Sequence, residues 1–355
     1  MLQQPLDAGR AGGQATHMGL QIDIAAIVAN HAALAALAPG ARAAAVVKAD
    51  AYGLGADRVA PALYAAGVRD FFVALAHEGR AIRPLLPQDA RINVLSGHME
   101  GADLTGLTPV LNSPAQFFRE RAMRPGQPFA IQLDTGMNRL GMEAAEWGAI
   151  RDEALAAGPA FIMSHLACAD ESDHPANAAQ LSAFRAMTDG CDMPRSLAAT
   201  GGILLGPDYH FDMVRPGVGL YGGLPFAQAR GVVTLSLRVI QTRDVRRGEM
   251  VGYGASWHAP RDCRIATVDA GYADGILRSL SGKGAQLFAG DVACPVVGRV
   301  SMDLITVDVT GLDAVPDRLD LICAHQPIDR LADIAGTIGY EVLTSLGLRY
   351  QRTYL

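Results

Sequence analysis

The chain has 355 residues, half of them hydrophobic and 19% charged, so it can bury a large core. On size alone it forms about two domains, although a single α/β barrel can take about 250 residues. Its net charge of −6 argues against nucleic acid or an anionic membrane surface as partner, and no apolar run reaches the roughly 18–20 residues of a membrane span.

Residues 1–17 are rich in Gly, Gln and Ala and hold no apolar core like that of a secretory signal; they read as a flexible extension of a chain that is not exported. From about Leu20 to Gly222, short apolar runs alternate with longer Ala/Leu/Arg segments of helical character. The apolar runs are 43–49, 70–76, 91–97, 108–112, 129–135, 160–167, 195–200 and 211–217. Continuous rather than alternating apolar runs are expected of parallel strands buried on both faces. Helices are expected near 57–66, 114–123, 144–157 and 175–188, with Asp57 and Ser113-Pro114 as starting residues. Eight strand–helix units predict a (β/α)8 TIM barrel over 18–230. Beyond it, runs near 232–245, 263–270, 285–289, 293–300 and 304–310 are separated by Gly, Pro and Asp. They predict a mainly antiparallel β domain over 231–355, with one late helix at 329–346 and a short terminal strand. Five cysteines (168, 191, 263, 294 and 323) lie far apart without a C-x-x-C pair, which suits free thiols in a reducing cytoplasm rather than zinc or disulfides.

A barrel gathers its chemistry at the C-terminal ends of its strands. The polar residues there are Lys48 and Asp50, His77 and Glu78, His98, Asn112, Asp134 with Arg139, His165, Thr200 and Arg215. A lysine ending an apolar strand is either a snorkelling surface residue or an amine whose pKa burial lowers, as Schiff-base chemistry requires. The loops after strands seven and eight, Thr200-Gly201-Gly202 and Arg215-Pro216-Gly217-Val218-Gly219, have the glycines that let backbone amides approach a phosphate. A buried lysine with two such loops points to pyridoxal phosphate.

Several segments resemble those of the alanine racemase family, the fold type III racemases that use this cofactor. Residues 45–55 (AVVKADAYGLG) are similar to the cofactor-attachment motif. Similarity continues, in order, through LDTGMNRLG (133–141), MSHLA (163–167), VRPGVGLYG (214–222), VGYG (251–254), GYADG (271–275) and GRVSMD (298–303). The resemblance implies a homodimer with shared active sites that racemises alanine and supplies D-alanine for peptidoglycan. It implies that Lys48 carries the cofactor, that the Tyr52 hydroxyl and Thr200 reach its phosphate, and that Gly217 and Val218 offer amides to the same group. Arg215 would face the pyridine nitrogen, where most pyridoxal enzymes place a carboxylate. A lasting cation there disfavours protonation of the ring and so favours returning a proton to Cα over transamination. Lys48 and Tyr272 would be the two bases on opposite faces of the α-carbon, Tyr272 coming from the partner subunit and aided by His165 and Arg215. Arg139 and the Met302 amide would hold the substrate carboxylate, with Asp303 alongside, while Arg299 and Tyr253 resemble residues of the entrance corridor.

Two positions depart from the family pattern. Where many members have a carbamylated lysine, this chain has Gln132, which is expected to accept a hydrogen bond from Arg139 instead. Leu348 matches the position of a phosphate-binding tyrosine, and Tyr350, two residues on and therefore on the same strand face, is the expected substitute. The rival readings are a broad-spectrum racemase, a fold type III amino-acid decarboxylase, and a non-catalytic carrier of the cofactor.

Overall fold

The computed structural model describes residues 19–355; the expected extension at 1–17 lies outside them. The chain divides into two compact units. One consists mainly of residues 22–233 and 326–346, the other mainly of 234–325 and 347–353.

In the first unit seven strands lie parallel in chain order: Ala45–Val46, Asp70–Val73, Arg91–Val94, Thr108–Leu111, Ala130–Gln132, Ile162–Met163 and Arg195–Ser196. The eighth, Met213–Val214, pairs in parallel with Arg42–Ala43, the start of the first strand. Ala44 N donates to Val214 O and Val46 N to Pro216 O on one side, and Arg215 N to Ala198 O on the other, which closes the barrel. Each of the eight apolar runs thus carries a barrel strand. The runs are continuous because both faces are covered, and all four residues of Asp70–Val73 and of Thr108–Leu111 are buried. Helices Ala56–Ala65, Pro114–Met123, Ala144–Ala156 and Pro175–Thr188 fall where helical character predicts them. One side of the core packs Phe117, Phe129, Ile131, Trp147 and Phe184 between strands and helices, each large side chain worth about 1.5–3 kcal/mol of burial.

Capping follows the expectation at one helix and departs from it at another. Ser113 Oγ accepts from Gln116 N, with Pro114 in the first turn. Asp57, however, is only a first-turn residue. Gly55 at φ +92° turns the chain, and Asp50 Oδ1 accepts the Ala56 amide at 2.7 Å.

The second unit is an antiparallel barrel. Strand Val233–Val245 pairs with Cys263–Val268 along its second half and with Arg318–Ile322 along its first. A register shift between Val239 and Gln241 lets one strand serve both partners. Cys263–Val268 continues to Ile305–Asp308, Val292–Val297 and Gln286–Ala289, and Phe288 pairs with Asp320 to complete the ring. Gly19–Ile22 and Gln351–Tyr354 extend the same sheet. Arg318–Ile322 was not foreseen; buried Leu319 and Leu321 alternate there with half-exposed Arg318 and Asp320. The single late helix expected at 329–346 is two helices, Ile328–Ala335 and Gly339–Ser345, because Gly336 at φ +80° ends the first. Both cluster with the (β/α)8 unit.

Candidate active site

Lys48 stands where the first barrel strand ends. Directly after it Ala49, Asp50, Ala51 and Tyr52 have φ values of 51, 55, 53 and 58°, a left-handed turn built without glycine. Such a conformation costs about 1–2 kcal/mol per residue, so the surroundings must impose it. Glu78 does much of this: Oε1 accepts from Ala49 N at 2.8 Å, and Oε2 from Ala74 N and Leu75 N. Tyr52 is buried at the end of the turn, its ring 4.6 Å from that of Tyr221 and 6.0 Å from that of Tyr340. Burial, then the Arg139 charge, lowers the Lys48 pKa, opposed by Glu78. The amine therefore loses its proton more readily than a surface lysine.

The two glycine loops meet around Thr200, which is buried; its Oγ1 accepts from Gly217 N at 3.0 Å and Gly219 N at 3.3 Å. A Cβ on Gly217 would lie 2.7 Å from the Tyr52 hydroxyl, so a side chain there would fill the space between loop and phenol. The amides of Gly201, Gly202 and Val218 donate to no group among the described residues. The arrangement is a cradle of amides and hydroxyls for an anion. The Gly217 amide, expected to face the anion, instead donates to the Thr200 hydroxyl, which can itself donate onward.

Arg215 is 3% exposed and has no carboxylate partner. Its guanidinium donates to Ser196 Oγ, Ser164 O and Leu197 O, all neutral acceptors. Pairing with Asp212, the ordinary loop arrangement, is absent; Asp212 Oδ2 accepts the Arg195 amide instead. Burial lowers the Arg215 pKa to about 9, which still leaves it a cation at neutral pH. His165 stands close by. Burial, reinforced by Arg215, Arg139 and Lys48, lowers its pKa to about 3, so its imidazole is neutral. A group neutral in the folded state and protonated in the unfolded chain below 6.5 removes stability as pH falls. Thermal melts should therefore show a decline from pH 6.5 towards about 3 that His165→Gln lessens; identical pH dependence in the two proteins would refute a neutral His165.

Arg139 is exposed and makes no hydrogen bond or ion pair among the described residues. Gln132 does not accept from it, contrary to expectation. Its Nε2 donates to Leu140 O at 3.0 Å, because the backbone folds the LDTGMNRLG turn back over strand Ala130–Gln132.

In the second unit, Tyr272 opens the short helical turn Tyr272–Asp274 and is 42% exposed. Met302 is 53% exposed and its amide is unpaired among the described residues, while Ser301 and Met302 carbonyls accept from Tyr272 N and Ala273 N. Leu348 and Tyr350 do not share a strand face as expected, because residues 348–350 turn before strand Gln351–Tyr354: Tyr350 is buried with its hydroxyl unpartnered, whereas Leu348 is 91% exposed. Arg299 and Tyr253 are exposed.

Glu78, Tyr221 and Tyr340 shape the Lys48 turn, but sequence reasoning assigned them no role. Glu78 was visible at a strand end, and Tyr221 within VRPGVGLYG; Tyr340 had no local signal.

A sequence model of the alanine racemase N-terminal domain matches residues 22–225, and one of the C-terminal domain matches 232–354. An alanine racemase of Cereibacter sphaeroides is 61% identical over 340 residues, 94% of this chain and 97% of that protein. One of Dinoroseobacter shibae is 60% identical over 344 residues, with the same shares. The crystal structure of alanine racemase from Bartonella henselae with covalently bound pyridoxal phosphate superposes with a TM-score of 0.91. It is 38% identical, and the match covers 96% of this chain and all of that one. Biosynthetic alanine racemase from Pseudomonas aeruginosa gives 0.87 at 35% identity, covering 96% and 99%. The chain belongs to the alanine racemase family.

Proposed function

We propose that this chain, a pyridoxal-phosphate-dependent alanine racemase, interconverts L- and D-alanine by two-base proton transfer between Lys48 and Tyr272 of the partner subunit. The observation that carries the reading is Arg215: a buried guanidinium held by neutral acceptors, close to a neutral histidine and the depressed Lys48 amine.

The donors present fit the cofactor. Lys48 Nζ would hold its aldehyde carbon. The phosphate would take the unpaired amides of Gly201 and Val218, the Thr200 and Tyr52 hydroxyls and the Gly217 edge. Arg215 would face the pyridine nitrogen. When bound, pyridoxal phosphate acidifies the α-hydrogen of the amino acid joined to it.

The side chains then divide the work. Arg139, free of any internal anion, and the open Met302 amide grip the substrate carboxylate. Lys48 Nζ moves a proton on one face of the α-carbon, and the Tyr272 hydroxyl on the other. A free tyrosine has a pKa near 10, so the phenol needs an acceptor, and the neutral His165 imidazole supplies it. Arg215 keeps that imidazole a poor resting place for the proton, so it returns. Facing a bound cofactor, the same cation would disfavour protonation of the ring nitrogen and so favour return of the proton to Cα; it opposes the decarboxylase reading, for which a carboxylate belongs at this position.

Incubation with L-alanine in D2O tests the reaction: D-alanine deuterated at Cα is expected, and absence of exchange would sink the proposal. Trials with serine and larger amino acids separate an alanine enzyme from a broad-spectrum one. The assembly is a homodimer with shared sites, supported by the exposure of Tyr272 and Met302 in the single chain. Its product supplies D-alanine for peptidoglycan, and loss of the gene should make growth depend on added D-alanine. Among the described residues no helix is long and apolar enough to cross a membrane, and the five free cysteines suit the cytoplasm; cell fractionation checks that location.

Tyr350 completes the proposed cofactor set, supported by its buried, unpartnered hydroxyl. Tyr350→Phe should speed cofactor loss on dialysis, read from absorbance; wild-type retention removes Tyr350 from the set.

A further inference from the structure

We propose that Arg349 and Asp274 are positioning residues for Tyr272, joining the turn that carries the phenol to the turn that carries Met302. This rests on the reading of Tyr272 as a base.

Tyr272 is 42% exposed, so its direction depends on the backbone beneath it. That backbone is tied down at several points. Asp274, two residues on, is fully buried, and its Oδ2 accepts the Gly271 amide at 2.9 Å. Arg349 reaches the same carboxylate with two donors, Nε to Oδ1 at 2.6 Å and Nη2 to Oδ2 at 2.9 Å. Its remaining arm, Nη1, donates to Asp303 Oδ1 at 2.8 Å. Gly347 N adds a bond to Asp274 O. One planar guanidinium therefore spans the GYADG turn and the residue after Met302, and only arginine offers that fork. The two turns are already in contact: a Cβ on Gly271 would lie 2.3 Å from Ser301 O and 2.4 Å from Met302 O. Losing the clamp frees the phenol and the Met302 amide to drift relative to each other, and misplacement by about 1 Å can cost on the order of a hundredfold in rate.

The test measures α-hydrogen exchange into D2O from L-alanine and from D-alanine separately, on the cofactor-loaded enzyme. Tyr272→Phe first identifies the enantiomer that depends on the phenol. If that variant exchanges both enantiomers at the wild-type rate, the base assignment itself is wrong, whatever Arg349 does. Given that reference, Arg349→Ala should slow exchange from the Tyr272-dependent enantiomer by about a hundredfold, and exchange from the other, which shares only the Met302 contact, by much less. Arg349→Lys, which keeps charge but loses the fork, should fall between. Equal slowing of both exchanges, or no slowing, in protein with a wild-type melting profile overturns the proposal. Should Arg349→Ala fail to accumulate as folded protein, Arg349→Lys makes the same comparison, with the same two overturning results.

Discussion

A Lys48→Ala enzyme shows no racemisation, a loss of at least about 10⁴-fold, yet regains activity when co-expressed with a Tyr272→Phe chain. The first loss follows from the proposed double role of Lys48, which would both anchor the cofactor and serve as a base. The regain follows from where the second base comes from. If each site takes Lys48 from one chain and Tyr272 from its partner, either variant alone builds two crippled sites. A mixed dimer builds one site carrying both lesions and one carrying neither. Random pairing makes half the dimers mixed, so about a quarter of wild-type activity returns in a two-fold symmetric assembly. Tagging the two chains differently and purifying the mixed species should raise this to about half. No regain in the purified mixed dimer would place both bases in one chain and remove the shared site.

Arg215→Gln gives the second large effect. Its guanidinium is held by Ser196 Oγ, Ser164 O and Leu197 O, and glutamine keeps two donors for those acceptors while removing the charge. Any acceptor left unpaired costs about 1–3 kcal/mol, so melts will fall somewhat. On the proposed mechanism the catalytic consequence is larger, because the buried, preorganised cation proposed to face the ring nitrogen is lost. kcat should fall by about 10²–10³-fold. Without the cation the ring nitrogen is freer to protonate, so alanine should also be diverted into transamination, read as pyruvate formed per racemisation event. Unaltered partitioning would mean that Arg215 is structural. His165 should respond as well, since one of the charges that hold its pKa near 3 is gone.

How much of this could be read from the chain depends on whether each feature is local. The placement of Lys48 at a barrel strand's end was legible because Val46-Val47-Lys48 closes a continuous apolar run, where the barrel rule expects chemistry. The placement of Arg215 and Thr200 was legible for the same reason. The left-handed turn after Lys48 was not, because Ala49, Asp50, Ala51 and Tyr52 give no glycine signal and the conformation is imposed by Glu78 and by rings of Tyr221 and Tyr340. The cap of the following helix shifted from Asp57 to Asp50 because that turn carries the earlier carboxylate round. Gln132 points at Leu140 O rather than at Arg139, a choice made by backbone fold-back that residue type cannot signal.

By itself the sequence determined the order and number of the parallel strands of the first unit, the change from parallel to antiparallel architecture near residue 230, and the residue types offered at each parallel strand's end. These depend on hydrophobic periodicity and on glycine and proline, which act over a few residues. Only the tertiary structure decided that helices Ile328–Ala335 and Gly339–Ser345 return to the first unit, that Val233–Val245 bends to serve two partners, and that Arg349 seizes Asp274 from 75 residues away. Such pairings are selected by which distant groups can be desolvated together in complementary geometry, and no local pattern of residues encodes that match.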